Sequence, residues 1–93
     1  MDKVCKKILI RGLVQGVFFR ATCYEKANSI GGLSGYVKNL PSGEVEALIQ
    51  GPTYNVKQLI EFLHIGPKGA NVDEVIVDDA LFRPDLKDFS IIS

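Results

Sequence analysis

Tryptophan is absent from this chain of 93 residues, one histidine and two cysteines occur, and neither sign of charge is in excess. Each shortage excludes something. Cys5 and Cys23 alone make no disulfide framework and lack zinc-ligand spacing, so both are read as buried thiols. Lys plus Arg number 11 and Asp plus Glu 11, which leaves no basic footprint for nucleic acid and no electrostatic anchor for a membrane. No apolar run approaches the roughly 18 residues needed to span a bilayer. The start Met1-Asp2-Lys3 lacks the apolar core of a secretory signal, so a soluble, cytoplasmic protein is expected. Without a His, Cys, Asp or Glu cluster at ligand spacing, no metal and no cofactor are expected.

What is present is a hydrophobic share of 46%, enough for one modest core. No repeat, low-complexity tract or linker divides the chain, and residues 1 to 93 read as a single domain. Lys7 to Val14 is rich in β-branched and aliphatic residues and suits a first strand. From Phe19 onward, Phe19, Cys23, Ala27 and Ile30 lie on one helical stripe, and Gly31-Gly32 stops the helix. Leu33 to Leu40 and Glu44 to Gln50 are strand-like, joined by Pro41-Ser42-Gly43 with hairpin-turn chemistry. In the second run Val45, Ala47 and Ile49 alternate with Glu44, Glu46 and Leu48, as expected for a strand with one buried face.

Thr53 is a candidate N-cap for a second helix whose apolar residues Val56, Leu59, Ile60 and Leu63 have amphipathic spacing, and Gly66-Pro67 closes it. Val72 to Leu81 is a further strand, and Phe89-Ser90-Ile91 a short tail able to pair at a sheet edge. The order is the ferredoxin-like βαββαβ pattern of the α+β class, an antiparallel sheet covered on one face by two helices. Right-handed crossovers give spatial order 4-1-3-2 and put the C-terminal ends of strands one and two at the same end of the sheet, on the order of 10 Å apart. Two side chains could close there on a small ligand.

The connection from strand one to helix one reads Gly12-Leu13-Val14-Gln15-Gly16-Val17-Phe18-Phe19-Arg20. A loop entering a helix N-terminus presents unpaired N-H groups and partial positive charge to an anion. Gly16 gives it the torsions of a tight wrap. Arg20 adds a planar fork for two phosphate oxygens. On the residues alone, a surface loop with a solvated arginine also fits. Gly12-x-Val14-Gln15-Gly16-Val17-x-Phe19-Arg20, however, resembles the signature of acylphosphatases without a gap, and Gly35-Tyr36-Val37-Lys38-Asn39 resembles the family's second signature. Gly43-Glu44-Val45-Glu46, Gly51-Pro52, Gly66-Pro67 and Phe89-x-Ile91 also fall where the family carries similar elements.

The resemblance implies that Gln15, Gly16, Val17, Phe18 and Phe19 cradle a phosphoryl group, Arg20 binds its oxygens and Asn39 positions the attacking water. It implies acyl phosphates as the small-molecule substrate; a monomer is expected, and the balanced charge leaves neither nucleic acid nor membrane as an expected partner. The chemistry agrees with that substrate class. An alkyl phosphate expels a poor alkoxide and usually calls for a general acid or a metal ion, whereas an acyl phosphate expels a stable carboxylate. A non-catalytic phosphate- or ligand-binding module of the same fold is the alternative.

Four further residues are read structurally: His64 as a helix-end residue, Cys23 as packing, Tyr36 as shaping the hairpin and Lys38 as a solvated strand lysine. Gly31-Gly32 carries one residue more than is usual in the family, which could shift Asn39 in register unless a bulge compensates. Ile91-Ile92-Ser93 replaces a more basic or aromatic ending.

Overall fold

In the computed structural model, which describes residues 2 to 92, the elements run β1 (Lys3–Leu13), α1 (Phe19–Ile30), β2 (Ser34–Asn39), β3 (Val45–Pro52), α2 (Thr53–Leu63), β4 (Asn71–Asp79) and β5 (Phe89–Ile92). The sheet order is β4-β1-β3-β2-β5, the expected 4-1-3-2 with the tail added at the edge. The tail pairs parallel with β2, so the sheet is mixed rather than wholly antiparallel. β1 begins four residues earlier than its aliphatic core suggests. Lys3 to Lys7, too charged to read as a strand, pair with Pro52 to Leu48 of β3.

Both helices lie on one face, α1 over β2 and β5, α2 over β1 and β3. The core between the layers holds Ile8, Ile10, Val37, Val45, Ala47 and Ile49 from the sheet, with Phe19, Cys23 and Ala27 from α1 and Val56, Leu59 and Leu63 from α2. The helical stripes are thus the buried ones, with Ile30 and Ile60 packed partly against the core. Gly35 is the place where the sheet demands glycine: an added Cβ would lie 1.8 Å from the Leu48 carbonyl oxygen.

Three local expectations are corrected. β3 is buried on both faces, since Leu48 and Gln50 are buried along with Val45, Ala47 and Ile49. The cover at Gln50 is the chain between β4 and β5. Arg83 N-H donates to Gln50 Oε1 at 2.7 Å, and Gln50 Nε2 donates to the Arg83 carbonyl at 2.9 Å. Pro52, not Thr53, is the cap residue of α2 and no side chain caps it; Thr53 N-H instead donates to the Asp2 carbonyl at 3.2 Å. Finally, no bulge follows Gly31-Gly32, because β2 pairs with β3 in unbroken register from Ser34↔Gln50 to Asn39↔Val45. The chain turns at the end of α1, where both glycines have positive φ, 80° and 71°, and Asn55 Nδ2 donates to the Gly31 carbonyl at 2.9 Å.

Candidate active site

β1 and β2 run parallel with β3 between them, so their C-terminal ends share one end of the sheet, with α1 starting there. A cavity of about 290 Å³ opens at that end, lined by Val14, Gln15, Gly16, Phe18, Phe19, Arg20, Ala21, Asn39 and Ile91. Arg20 and Asn39, 19 positions apart in sequence, meet at the same cavity. Arg20 carries the one charged side chain among these lining residues.

The local structure explains the cup. Gly16 has φ of 76° and nothing stands within 4 Å of where a Cβ would be, so the loop turns there without crowding the cavity. Phe18, with φ of 63°, is the one described non-glycine residue in the left-handed region. It is the cap residue of α1, and its carbonyl accepts from Thr22 N-H at 3.0 Å and Thr22 Oγ1-H at 2.8 Å. No side chain caps the N-terminus of α1 and no acidic residue stands in its first turn, which leaves the helix-end amides and their partial positive charge at the cavity. Phe19 is only 2% exposed; its ring anchors the first turn of α1 in the core. Gly66 packs against that ring, where an added Cβ would meet Phe19 Cε2 at 2.7 Å. Val17 does not reach the cavity and packs against the core.

Gln15 has a role that its place in the loop did not reveal. Its Nε2 donates to the Leu40 carbonyl at 2.8 Å and the Glu44 carbonyl at 2.9 Å, tying the loop to the β2-β3 hairpin beside Asn39. The same hairpin is closed by Gly43 N-H donating to the Leu40 carbonyl at 3.0 Å. Arg11 at the end of β1 pairs with Glu44 and Glu74. Arg11 and Ser42 together hold the Glu44 carboxyl below its ordinary pKa, Arg11 foremost.

Asn39 Oδ1 is buried and has no hydrogen-bond partner among the described residues. Buried polar atoms nearly always have partners, and those without one concentrate where function supplies it. The carboxamide thus keeps hydrogen-bonding capacity that no described residue uses. Arg20 makes no ion pair or side-chain hydrogen bond with another described residue.

The other residues fall into structural places. Burial pushes the Cys23 thiol up to about 12, too high to act as a thiolate. Cys5 and Cys23 are both free and buried. His64, exposed at the end of α2, has Nδ1 3.0 Å from the Ile60 carbonyl. Tyr36 donates to Glu46 Oε2 at 2.7 Å, and burial followed by Glu46 pushes its phenol up to about 12. Lys38 lies 3.7 Å from the same carboxylate. Val14, Ala21 and Ile91 line the cavity although none was read as a site residue. Ile91 arrives only because β5 pairs with β2, Val37 opposite Ile91, a tertiary fact that no local motif announces.

At one end of its sheet this α+β sandwich carries a cavity lined by a helix-terminus loop, an arginine and a carboxamide, an arrangement suited to receiving a small anion. The family model described as Acylphosphatase matches residues 6–91. An acylphosphatase of Marinobacter nauticus is 42% identical over 82 residues, covering 88% of each chain. One of Pyrobaculum islandicum is 41% identical over 93 residues, 99% of this chain and 97% of the other. The structure of an acylphosphatase from Coxiella burnetii superposes with a TM-score of 0.91 at 35% identity, covering 98% of this chain and 94% of that one. The chain belongs to the acylphosphatase family and is a hydrolase of that family. Among the described residues no helix is long and apolar enough to cross a membrane.

Proposed function

We propose that this protein hydrolyses the carboxyl-phosphate mixed anhydride of acyl phosphates, giving a carboxylate and inorganic phosphate. Arg20 and the loop residues Gln15, Gly16, Phe18 and Phe19 hold the phosphate, Arg20 by its guanidinium fork and the loop by main-chain amides. Asn39 holds the attacking water. The water oxygen forms a bond to phosphorus as the bond from phosphorus to the acyl oxygen breaks, and that bonding pair leaves on the carboxylate. The water's proton passes to a phosphate oxygen of the substrate, because an amide cannot accept it at neutral pH. The residues thus act by positioning and by charge stabilisation, which suffices for a loose phosphoryl-transfer transition state.

The observation that carries this reading is that Asn39, whose buried Oδ1 has no described partner, lines the same cavity as Arg20. We further read residues 1 to 93 as one acylphosphatase-like domain that works as a cytoplasmic monomer on a small molecule, without nucleic acid, membrane or metal.

The test is phosphate release from acetyl and benzoyl phosphate with EDTA present. Wild type turns over, and Arg20→Ala and Asn39→Ala each lose at least about a hundredfold, the usual cost of one preorganised group in the transition state. Normal turnover by purified Asn39→Ala protein refutes the water-positioning role. Size-exclusion chromatography checks the monomer.

A further inference from the structure

A second cavity, of about 520 Å³, opens at the other end of the sheet, where β1 and β2 begin and β3 ends. Lys3 pairs there with Pro52, and Ser34 with Gln50. Lys3, Ser34 and Gln50 line the cavity together with Phe82, Leu86 and Lys87 from the chain between β4 and β5. None of these residues lines the cavity at Arg20. The volume falls within the roughly 300 to 1,000 Å³ of small-molecule sites, which join apolar lining to a few convergent polar groups.

The chain between β4 and β5 is fastened along its length. Ala80 N-H donates to the Cys5 carbonyl at 2.9 Å, and Gly35 N-H donates to the Asp88 carbonyl at 2.9 Å. Between them Gln50, only 2% exposed, bonds to both the N-H and the carbonyl of Arg83. Anchored at these points, the segment holds Phe82, 50% exposed, and Leu86 at the cavity and outside the core cluster. A cavity whose cover is fixed before a ligand arrives costs less ordering on binding.

The polar groups at the cavity have capacity left over. Ser34 Oγ accepts from Gln50 Nε2 at 3.2 Å, and its own hydroxyl proton has no acceptor among the described residues. Lys3 and Lys87 are exposed and make no ion pair among the described residues, whereas Lys6, Lys7 and Lys38 each do. Asp88 is the one acidic residue in the lining, so positive charge predominates there.

We infer that this cavity is a second binding site, for a small organic anion whose acidic head is held by Lys3, Lys87 and the Ser34 hydroxyl and whose apolar body lies on Phe82 and Leu86. An inorganic anion would leave the apolar lining uncovered, and a neutral aromatic would leave both ammonium groups without a partner. A carboxylate and a phosphate monoester share the required chemistry, because a lysine ammonium acts as a point charge rather than a fork.

The experiment titrates nitrogen-15-labelled protein with benzoate, phenyl phosphate, acetate and benzyl alcohol and follows the amide NMR shifts. Benzoate or phenyl phosphate should move the amides of Gly32, Ser34, Gly51, Leu86 and Lys87 saturably, and the tighter of the two tells which head group the site takes. Acetate, with the charge and little apolar body, and benzyl alcohol, with the body and no charge, should each bind at least about tenfold more weakly than benzoate. The double variant Lys3→Glu, Lys87→Glu turns two attractions into repulsions and should weaken benzoate at least about tenfold; dispersion of its spectrum reports that it is folded. Phe82→Ser should weaken benzoate while leaving acetate unchanged. Shifts confined to Gln15, Gly16, Arg20 and Asn39 would place the anion in the Arg20 cavity alone and overturn the second site. Equal binding by the folded charge-reversed protein would overturn it as well.

Discussion

Replacing Gln15 by glutamate changes almost no volume, yet it should damage both stability and turnover. The side-chain nitrogen donates to two carbonyl oxygens, of Leu40 at 2.8 Å and of Glu44 at 2.9 Å, in a partly buried setting. Each carbonyl also accepts from the main chain, Leu40 from Gly43 N-H and Glu44 from Leu40 N-H. Alanine would therefore strip two bonds without orphaning their acceptors, a loss of about 1 kcal/mol each, or about 2 kcal/mol in total. Glutamate goes further, since an ionised carboxylate has no proton to donate and faces the same two oxygens. Its cost should exceed that of alanine, reaching about 3 kcal/mol or more, with Tm lowered by about 4 to 8 °C per kcal/mol for a domain of this size. Because Gln15 fastens the loop to the hairpin that carries Asn39, kcat should fall by about ten- to a hundredfold, as misplacement by an ångström does. Thermal unfolding and initial rates on benzoyl phosphate measure the two effects. A Gln15→Glu protein as stable and as fast as wild type refutes the positioning role.

Gly35→Ala should abolish folding or cost at least about 3 kcal/mol, since its Cβ would lie 1.8 Å from a carbonyl oxygen at φ of 136°; urea unfolding checks it. Gln50→Leu leaves the main-chain N-H and carbonyl of Arg83 without the partners they have now, which should cost about 2 to 3 kcal/mol. It should also loosen the chain between β4 and β5, whose Ala80 N-H donates to the Cys5 carbonyl at 2.9 Å, and so speed alkylation of buried Cys5, followed by mass spectrometry. Tyr36 sets a limit in alkali. Its phenol is pushed up to about 12 in the folded protein from about 10 when unfolded. The folded state then binds the proton more tightly, so the stabilisation is complete below about pH 10 and is lost as pH rises toward 12. Tyr36→Phe should flatten that decline in urea titrations at pH 9 to 12.

The fold was legible because two periodicities carry it. Phe19, Cys23 and Ala27 and then Val56, Leu59 and Leu63 mark buried helix stripes, and glycines punctuate their ends. The two motifs come together because they fall at the C-terminal ends of β1 and β2, parallel strands with β3 between them. What local pattern could not show is what distant chain does. Gln50 is only the last residue of a strand run in sequence, and its cover comes from Arg83, 33 positions on. Lys3 to Lys7 hid the first half of β1, since charged side chains on an edge of the core give no strand signal. Ile91 is a short apolar tail in sequence and a cavity wall in space. Thr53 has the chemistry of a cap, but the chain reaches Asp2 first and takes its amide there. Each miss is a tertiary partner overriding a local preference.

The central claim is that water held by Asn39 attacks phosphorus while Arg20 holds the phosphate. Hydrolysis of benzoyl phosphate in water enriched in oxygen-18, with both products analysed by mass spectrometry, tests it most directly. The account predicts one labelled oxygen in the inorganic phosphate and none in the benzoate, at a rate cut at least about a hundredfold in Asn39→Ala. Label appearing in the benzoate would mean attack at the carbonyl carbon and would contradict it.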